Sequence, residues 1–260
     1  MNKLFFLLPF LALGCKNNDP DTPTPDNPAT KIVSFSIIKT YPHDTSFYTQ
    51  GLLFYNGELY EGTGLENRSR LMKVDLTTGK ALQKIDLDKT LFGEGVAILR
   101  DTVYQLTWQN KKVLVYTLKD FKKIKEYTNE HDGWGLTTDG NQLIASDGTS
   151  TLYYYDPSTF KLLKAQDVTE NGSLSYNLNE LEYIDGFIYA NQYQAPYIFK
   201  IDPANGNIVA KADLTSVWER IKNIDPDADV PNGIAYDAKT GKIYITGKLW
   251  PELYEIQFSK

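Results

Sequence analysis

Apolar and polar positions along this chain fall into short runs separated by turn residues, and the runs repeat. An apolar strand opens at Gln50-Gly51-Leu52, Glu94-Gly95-Val96, Trp134-Gly135-Leu136, Glu180-Leu181-Glu182 and Asn232-Gly233-Ile234; the middle residues are spaced by 44, 40, 46 and 52 positions. A second strand follows each one, at Glu58-Leu59-Tyr60, Thr102-Val103-Tyr104, Gln142-Leu143-Ile144, Phe187-Ile188-Tyr189 and Lys242-Ile243-Tyr244. A third follows at Arg70–Val74, Val113–Tyr116, Leu152–Tyr155, Tyr197–Ile201 and Leu253–Phe258. Turns such as Asp75-Leu76-Thr77-Thr78-Gly79 and Asp202-Pro203-Ala204-Asn205-Gly206 come next, where Asp accepts nearby backbone N–H groups and Gly tolerates positive φ. Four short strands per unit at this spacing predict an all-β, five-bladed β-propeller rather than a β-sandwich. The fifth unit stops after its third strand at Phe258, so the missing outer strand is expected from Ile32 to Lys39, closing the ring without a loose edge. The most polar insert, Ser216–Val230, is expected to carry a short helix over Val217–Ile224.

In a blade the first strand lines the central channel and the second runs antiparallel to it. The start of the first and the end of the second therefore lie at one rim. The starting set is Gln50, Glu94, Trp134, Asn179 with Glu180, and Asn232; the ending set is Gly64, Trp108, Asp147, Tyr193 and Lys248. Tryptophans, a tyrosine, a lysine, carboxamides and carboxylates converging on a rigid rim predict a ligand pocket. Singly, each residue fits a plugged channel equally well.

Glu94 is the sharpest candidate for chemistry. Flanking glycines in Phe92-Gly93-Glu94-Gly95 let the backbone pack closely and aim the carboxylate inward. Desolvation beside Trp108 and Trp134 would raise its pKa towards that of a proton shuttle. Lys248, in Thr246-Gly247-Lys248-Leu249-Trp250-Pro251, would oppose that shift or polarise a substrate carbonyl. His43 and His131 have no zinc-like spacing, and neither a Gly-x-Ser-x-Gly elbow nor a phosphate-cradling glycine loop is present. A calcium site from Glu94, Asn179, Asp147 and Asn232 is conceivable, but Lys248 would repel the cation.

The N-terminus stands apart. A basic Met1-Asn2-Lys3, an apolar run Leu4–Leu13 and Gly14-Cys15 have the layout of a secretory signal, and Cys15, the chain's one cysteine, has the place of a lipidated lipobox cysteine. Ala12 stands where Leu is commoner in that motif. Residues 1–15 are thus expected to be a signal, 16–30 a polar tether, and 31–260 the catalytic propeller. An exported lipoprotein, periplasmic or surface-facing, follows, touching a membrane only through its lipid. The net charge of −6, with lysines and acids interspersed, argues against nucleic acid as a partner. The 18 tyrosines and 12 phenylalanines favour strands.

Eight rim segments carry a family resemblance: Tyr48-Thr49-Gln50-Gly51-Leu52, Phe92-Gly93-Glu94-Gly95, Gln105-Leu106-Thr107-Trp108, Gly133-Trp134-Gly135-Leu136, Ser146-Asp147-Gly148, Leu178-Asn179-Glu180-Leu181-Glu182, Asn232-Gly233-Ile234-Ala235 and Thr246–Pro251. In this order, spanning about Ser34 to Phe258, they resemble the plant- and bacterial-type glutaminyl-peptide cyclotransferases. The resemblance implies a five-bladed propeller that turns the N-terminal glutamine of peptides or proteins into pyroglutamate and releases ammonia, with no catalytic metal and no cofactor. It implies Glu94 as the proton-transferring acid/base, Trp108, Trp134 and Asn179 as substrate-pocket residues, and Gln50 and Lys248 as polar residues of the same site. Tyr48 stands where the family often has Phe, and Tyr193 where it often has Trp; both keep an aromatic ring. A monomer is expected. Two rival classes stay open, a metal-dependent lactonase-type propeller hydrolase and a non-catalytic, peptide-binding surface lipoprotein.

Overall fold

The computed structural model describes residues 30–259. The expected signal, its Cys15 and nearly all of the tether lie outside the described residues. Thr30, read as the last tether residue, is tied to the fold: its N–H donates to Asn171 Oδ1 at 2.9 Å and its hydroxyl to the Ile208 carbonyl at 3.2 Å.

Five sheets are arranged as blades, each with four antiparallel strands, and blade 4 gains a short fifth strand, parallel, at its outer edge. From the channel outward, blade 1 is Thr49–Tyr55, Glu58–Thr63, Arg70–Asp75 and Lys80–Asp86. Blade 2 is Gly93–Leu99, Thr102–Thr107, Lys112–Thr117 and Lys123–Thr128. Blade 3 is Leu136–Thr138, Leu143–Ala145, Thr151–Tyr155 and Leu162–Asp167. Blade 4 is Leu178–Ile184, Phe187–Gln192, Tyr197–Ile201 and Ile208–Asp213. Blade 5 is Pro231–Asp237, Lys242–Gly247 and Glu252–Phe258, completed from the N-terminus by Phe35–Pro42.

The closing strand differs from the expected Ile32–Lys39 at both ends. Lys31–Ile32 pairs in parallel with the outer strand of blade 4, Lys31 opposite Ala210 and Ile32 opposite Lys211. The chain then crosses to blade 5, where Phe35 faces Phe258 and Pro42 faces Glu252. Tyr41 explains the extension past Lys39: it is buried against Tyr244 and Leu253, and its hydroxyl donates to Glu255 Oε2 at 3.0 Å. Pro42 is tolerated because the strand is an outer edge that needs no further N–H donor. The N-terminal segment thus binds two blades.

Each of the five gaps between neighbouring blades holds its own apolar cluster. Leu71, Val96 and Val103 fill the gap between blades 1 and 2; Leu106, Leu136 and Leu143 that between 2 and 3; Ile144, Leu178 and Ile188 that between 3 and 4. Ile198, Ile234 and Trp250 fill the fourth gap, and Leu52, Leu59 and Ala235 close the ring between blades 5 and 1. Truncating one such buried Leu or Ile to Ala would cost about 2–5 kcal/mol. The helix spans Thr215–Ile224, two residues longer at its start than expected, because Asp213 Oδ1 accepts the Thr215 N–H at 2.8 Å. Val217 and Ile221 bury its inner face in the cluster between blades 4 and 5, and Pro226 disfavours helix at Asp225. No helix among the described residues is long and apolar enough to cross a membrane.

Candidate active site

The inner strands of four blades break register where they enter the channel. The shifts fall between Thr49 and Gly51, Gly93 and Val96, Leu178 and Leu181, and Pro231 and Ile234. A bulge turns a side chain out of the strict alternation. Here the bulged positions are Gln50, Glu94, Asn179 and Asn232 with their neighbours, the residues that opened the sequence repeats. The backbones then crowd together. A Cβ on Gly95 would come within 2.4 Å of Leu136 N and 2.6 Å of Trp134 O, and one on Gly51 within 2.5 Å of Val96 N. The Gly95 N–H uses that proximity to donate to Trp134 O at 2.7 Å.

These strands form a cup of about 230 Å³, lined by Tyr48, Gln50, Phe92, Glu94, Trp108, Trp134, Asn179, Tyr193 and Lys248. All eight residues singled out for the site therefore converge, from all five blades or the turns at their rims. The walls are aromatic rings packed edge to face. Phe92 meets Tyr48 at 6.2 Å and Trp108 at 5.7 Å between centroids, and Trp134 meets Tyr193 at 5.4 Å. Lys248 joins the two walls, its Nζ 4.6 Å from the Tyr48 ring and 5.0 Å from the Tyr193 ring. Its turn is held by backbone bonds, Lys248 N–H to Val230 O at 3.0 Å and Leu249 N–H to Phe47 O at 2.8 Å. Trp250 is fully buried beneath and donates Nε1–H to Asp229 O at 2.8 Å.

With that geometry in place, the comparisons agree. A family model described as glutamine cyclotransferase matches residues 8–258. A curated glutaminyl-peptide cyclotransferase of Arabidopsis thaliana is 40% identical over 233 residues, covering 88% of this chain and 73% of the relative. The chain belongs to the glutamine cyclotransferase family. The crystal structure of Myxococcus xanthus glutaminyl cyclase superposes with a TM-score of 0.84 at 32% identity, covering 88% of this chain and 98% of that one.

In this glutamine cyclotransferase family member the two charged cup residues are both nearly inaccessible, Glu94 at 4% and Lys248 at 3%. Burial pushes the Glu94 carboxyl well above the usual carboxylate range; the Lys248 charge pulls it down and Asp132 pushes it up. Burial likewise lowers the Lys248 ammonium to about 8, against the pull of Glu94 and Asp229. The competition that sequence left open is thus decided: desolvation outweighs the lysine. No hydrogen bond from a described protein group reaches the Glu94 carboxyl, and Asn179 Oδ1 is buried without a partner. The cup therefore presents a carboxyl with unspent hydrogen-bonding capacity, with the Asn179 carboxamide and Lys248 also in its lining.

Two contributors escaped the sequence reading. Phe92 holds both Tyr48 and Trp108, and the absence of a side chain at Gly64 makes room for it: a Cβ there would lie 2.3 Å from the ring. Its position two residues before Glu94 was the available signal. Asp229 accepts the Tyr48 hydroxyl at 3.1 Å across 181 positions of sequence, a pairing with no local signature. Of the four residues weighed as a calcium cage, Glu94 and Asn179 line the cup while Asp147 and Asn232 do not. Asp147 instead accepts the Thr149 N–H at 3.0 Å, and its Oδ2 lies 3.8 Å from His131 Nδ1.

Proposed function

We propose that this chain converts the N-terminal glutamine of peptides or proteins into pyroglutamate and ammonia, using Glu94 to move the proton and no catalytic metal. In the reaction the α-amine nitrogen bonds to the γ-amide carbon of its own residue, the bond from that carbon to the amide nitrogen breaks, and ammonia leaves. One proton must pass from the attacking nitrogen to the leaving one. The observation that carries the assignment is the Glu94 carboxyl in the lining of an aromatic cup, desolvated and with no hydrogen bond from a described protein group. A carboxyl raised by burial is a strong enough base to take the amine proton and a weak enough acid to hold it until the amide nitrogen receives it.

The chain's other groups supply position and charge. Trp108, Trp134, Tyr193, Tyr48 and Phe92 confine the glutamine side chain so that it folds back on its own amine, which lowers the entropic barrier of an intramolecular attack. The Asn179 carboxamide, in the lining of the cup, helps hold the amine as it approaches. Lys248, fixed over two rings, donates to the γ-carbonyl oxygen as negative charge develops there. Incubating the purified chain with a Gln-initiated peptide should release one ammonia per cyclised peptide, undiminished by a chelator. Lactone hydrolysis that needs added calcium, or peptide binding without ammonia, would refute the assignment. Cys15 after the apolar run Leu4–Leu13 supports export and a lipid anchor, with the enzyme acting as a monomer on peptides outside the cytoplasm.

A further inference from the structure

Next to Gln50 of the cup lies a buried carboxamide that the reaction described so far does not use. Asn232 sits in the bulge of blade 5 with no exposure to solvent. It is held there from blade 4: the Gly233 N–H donates to Asn191 Oδ1 at 2.9 Å, and the Ile234 N–H to Glu180 Oε2 at 2.9 Å. From that bulge it reaches blade 1. Its Nδ2 donates to Thr49 O at 2.9 Å and to Gln50 Oε1 at 3.3 Å.

The two amide orientations follow from hydrogen-bond logic. A backbone carbonyl can only accept, so the Asn232 atom facing Thr49 O must be the NH2 group. That group's second hydrogen points at Gln50, so the near atom of Gln50 must be its oxygen; the reverse would set two NH2 groups against each other. The Gln50 NH2 is therefore turned into the cup. Asn232 keeps this arrangement although its own Oδ1 is buried without a partner. An unmet buried acceptor costs about 1–3 kcal/mol, so a residue chosen only for stability would not leave one.

We propose that Asn232 is a positioning residue that locks the Gln50 amide with its N–H bonds facing the substrate. Gln50 then acts as a second donor beside Lys248, aimed at the glutamine γ-carbonyl oxygen where negative charge builds during cyclisation. The proposal rests on the cyclisation reading of the same cup.

Asn232→Asp tests it. A buried, protonated aspartic acid has one hydrogen to donate and gives it to Thr49 O, leaving an oxygen towards Gln50. Gln50 must then flip, placing its own oxygen in the cup. Removing one donor to a developing oxyanion lowers kcat about 10²-fold, and KM should move far less. The deciding readout is a double-mutant cycle. In a Gln50→Ala background Asn232→Asp should cost almost nothing more, because Asn232 acts only through Gln50. The same loss in both backgrounds, or no loss in the native one, overturns the proposal. Thermal unfolding checks that the variant folds. If it does not, Gln50→Met replaces it: that variant fills similar space but offers the cup no hydrogen to donate, and retention of native kcat by it overturns the proposal. Failure of the native chain to release ammonia would overturn the cyclisation reading as well, whereas an additive cycle in an active enzyme removes Asn232 alone.

Discussion

Blades 2 and 4 each bury a glutamate in the register shift of the inner strand, one position apart in the repeat, and the two put it to opposite uses. Glu94 is the first residue of the shift in blade 2, and Glu180 is the second in blade 4, where Asn179 holds the place of Glu94; both are almost wholly buried, at 4% and 1% exposure. Burial pushes both carboxyls well above the usual range. The difference lies in what they touch. Glu180 accepts the Leu52 N–H at 3.2 Å and the Ile234 N–H at 2.9 Å, so one carboxyl ties the inner strands of blades 1 and 5 to blade 4. Glu94 accepts from no described protein group and faces the cup. A raised pKa therefore does not mark a catalytic carboxyl by itself; unspent hydrogen-bonding capacity in an accessible cup does.

The comparison breaks first at turnover. Glu94→Gln should lower kcat by about 10²–10⁴-fold, the usual worth of a positioned proton carrier, while Glu180→Gln should leave most of the activity of the folded protein intact. Measured ammonia release decides this, and equal losses would erase the distinction. Stability should show the reverse. Glu180→Gln cannot accept both backbone N–H groups with its single carbonyl oxygen, so denaturant unfolding should find it about 1–3 kcal/mol less stable. A subtler effect concerns the neighbouring cation. Lys248 loses its charge as pH rises through about 8, so kcat should fall on that alkaline limb. Lys248→Arg keeps a charge that does not titrate in this range, and whatever its absolute rate the limb should move up by at least about one pH unit. The smallest effect is thermal. Because the folded pKa of Glu94 is raised, its unfolded form loses the proton first, and stability declines as pH climbs from the ordinary carboxylate value towards the folded one. Glu94→Gln removes that decline, so its melting temperature should gain on the native chain as pH rises above the ordinary carboxylate value, by about 2–4 °C per kcal/mol recovered.

The propeller was legible because its determinants are local. Gly51, Gly95, Gly135 and Gly233 recur where inner strands crowd, and turns beginning with Asp75 and Asp202 recur where blades fold back. Gln50, Trp108, Trp134, Asn179, Tyr193 and Lys248 could be placed around Glu94 because antiparallel pairing within blades closed into a ring brings strand starts and strand ends to one rim, whereas Tyr48 came only from the family resemblance. Other features depend on contacts across blades and carry no local trace. Ile32 pairs with Lys211 at the edge of blade 4, a partner that the apolarity of the segment does not specify. The Tyr48–Asp229 and Asn232–Thr49 bonds join residues 181 and 183 positions apart. Whether Glu94 or Glu180 had hydrogen-bonding capacity to spare was equally invisible, since both are a glutamate at the start of an inner strand.

The ionisation of Glu94 in the free protein is the most direct test. With glutamate side-chain carboxyls labelled with carbon-13, the resonance that disappears in Glu94→Gln can be followed by NMR as pH is raised. It should keep the chemical shift of a protonated acid well beyond the point where exposed glutamates have titrated, and then move. A Glu94 resonance that titrates with the exposed glutamates near 4.5 would contradict the account, because such a carboxylate could not hold the amine's proton long enough to deliver it.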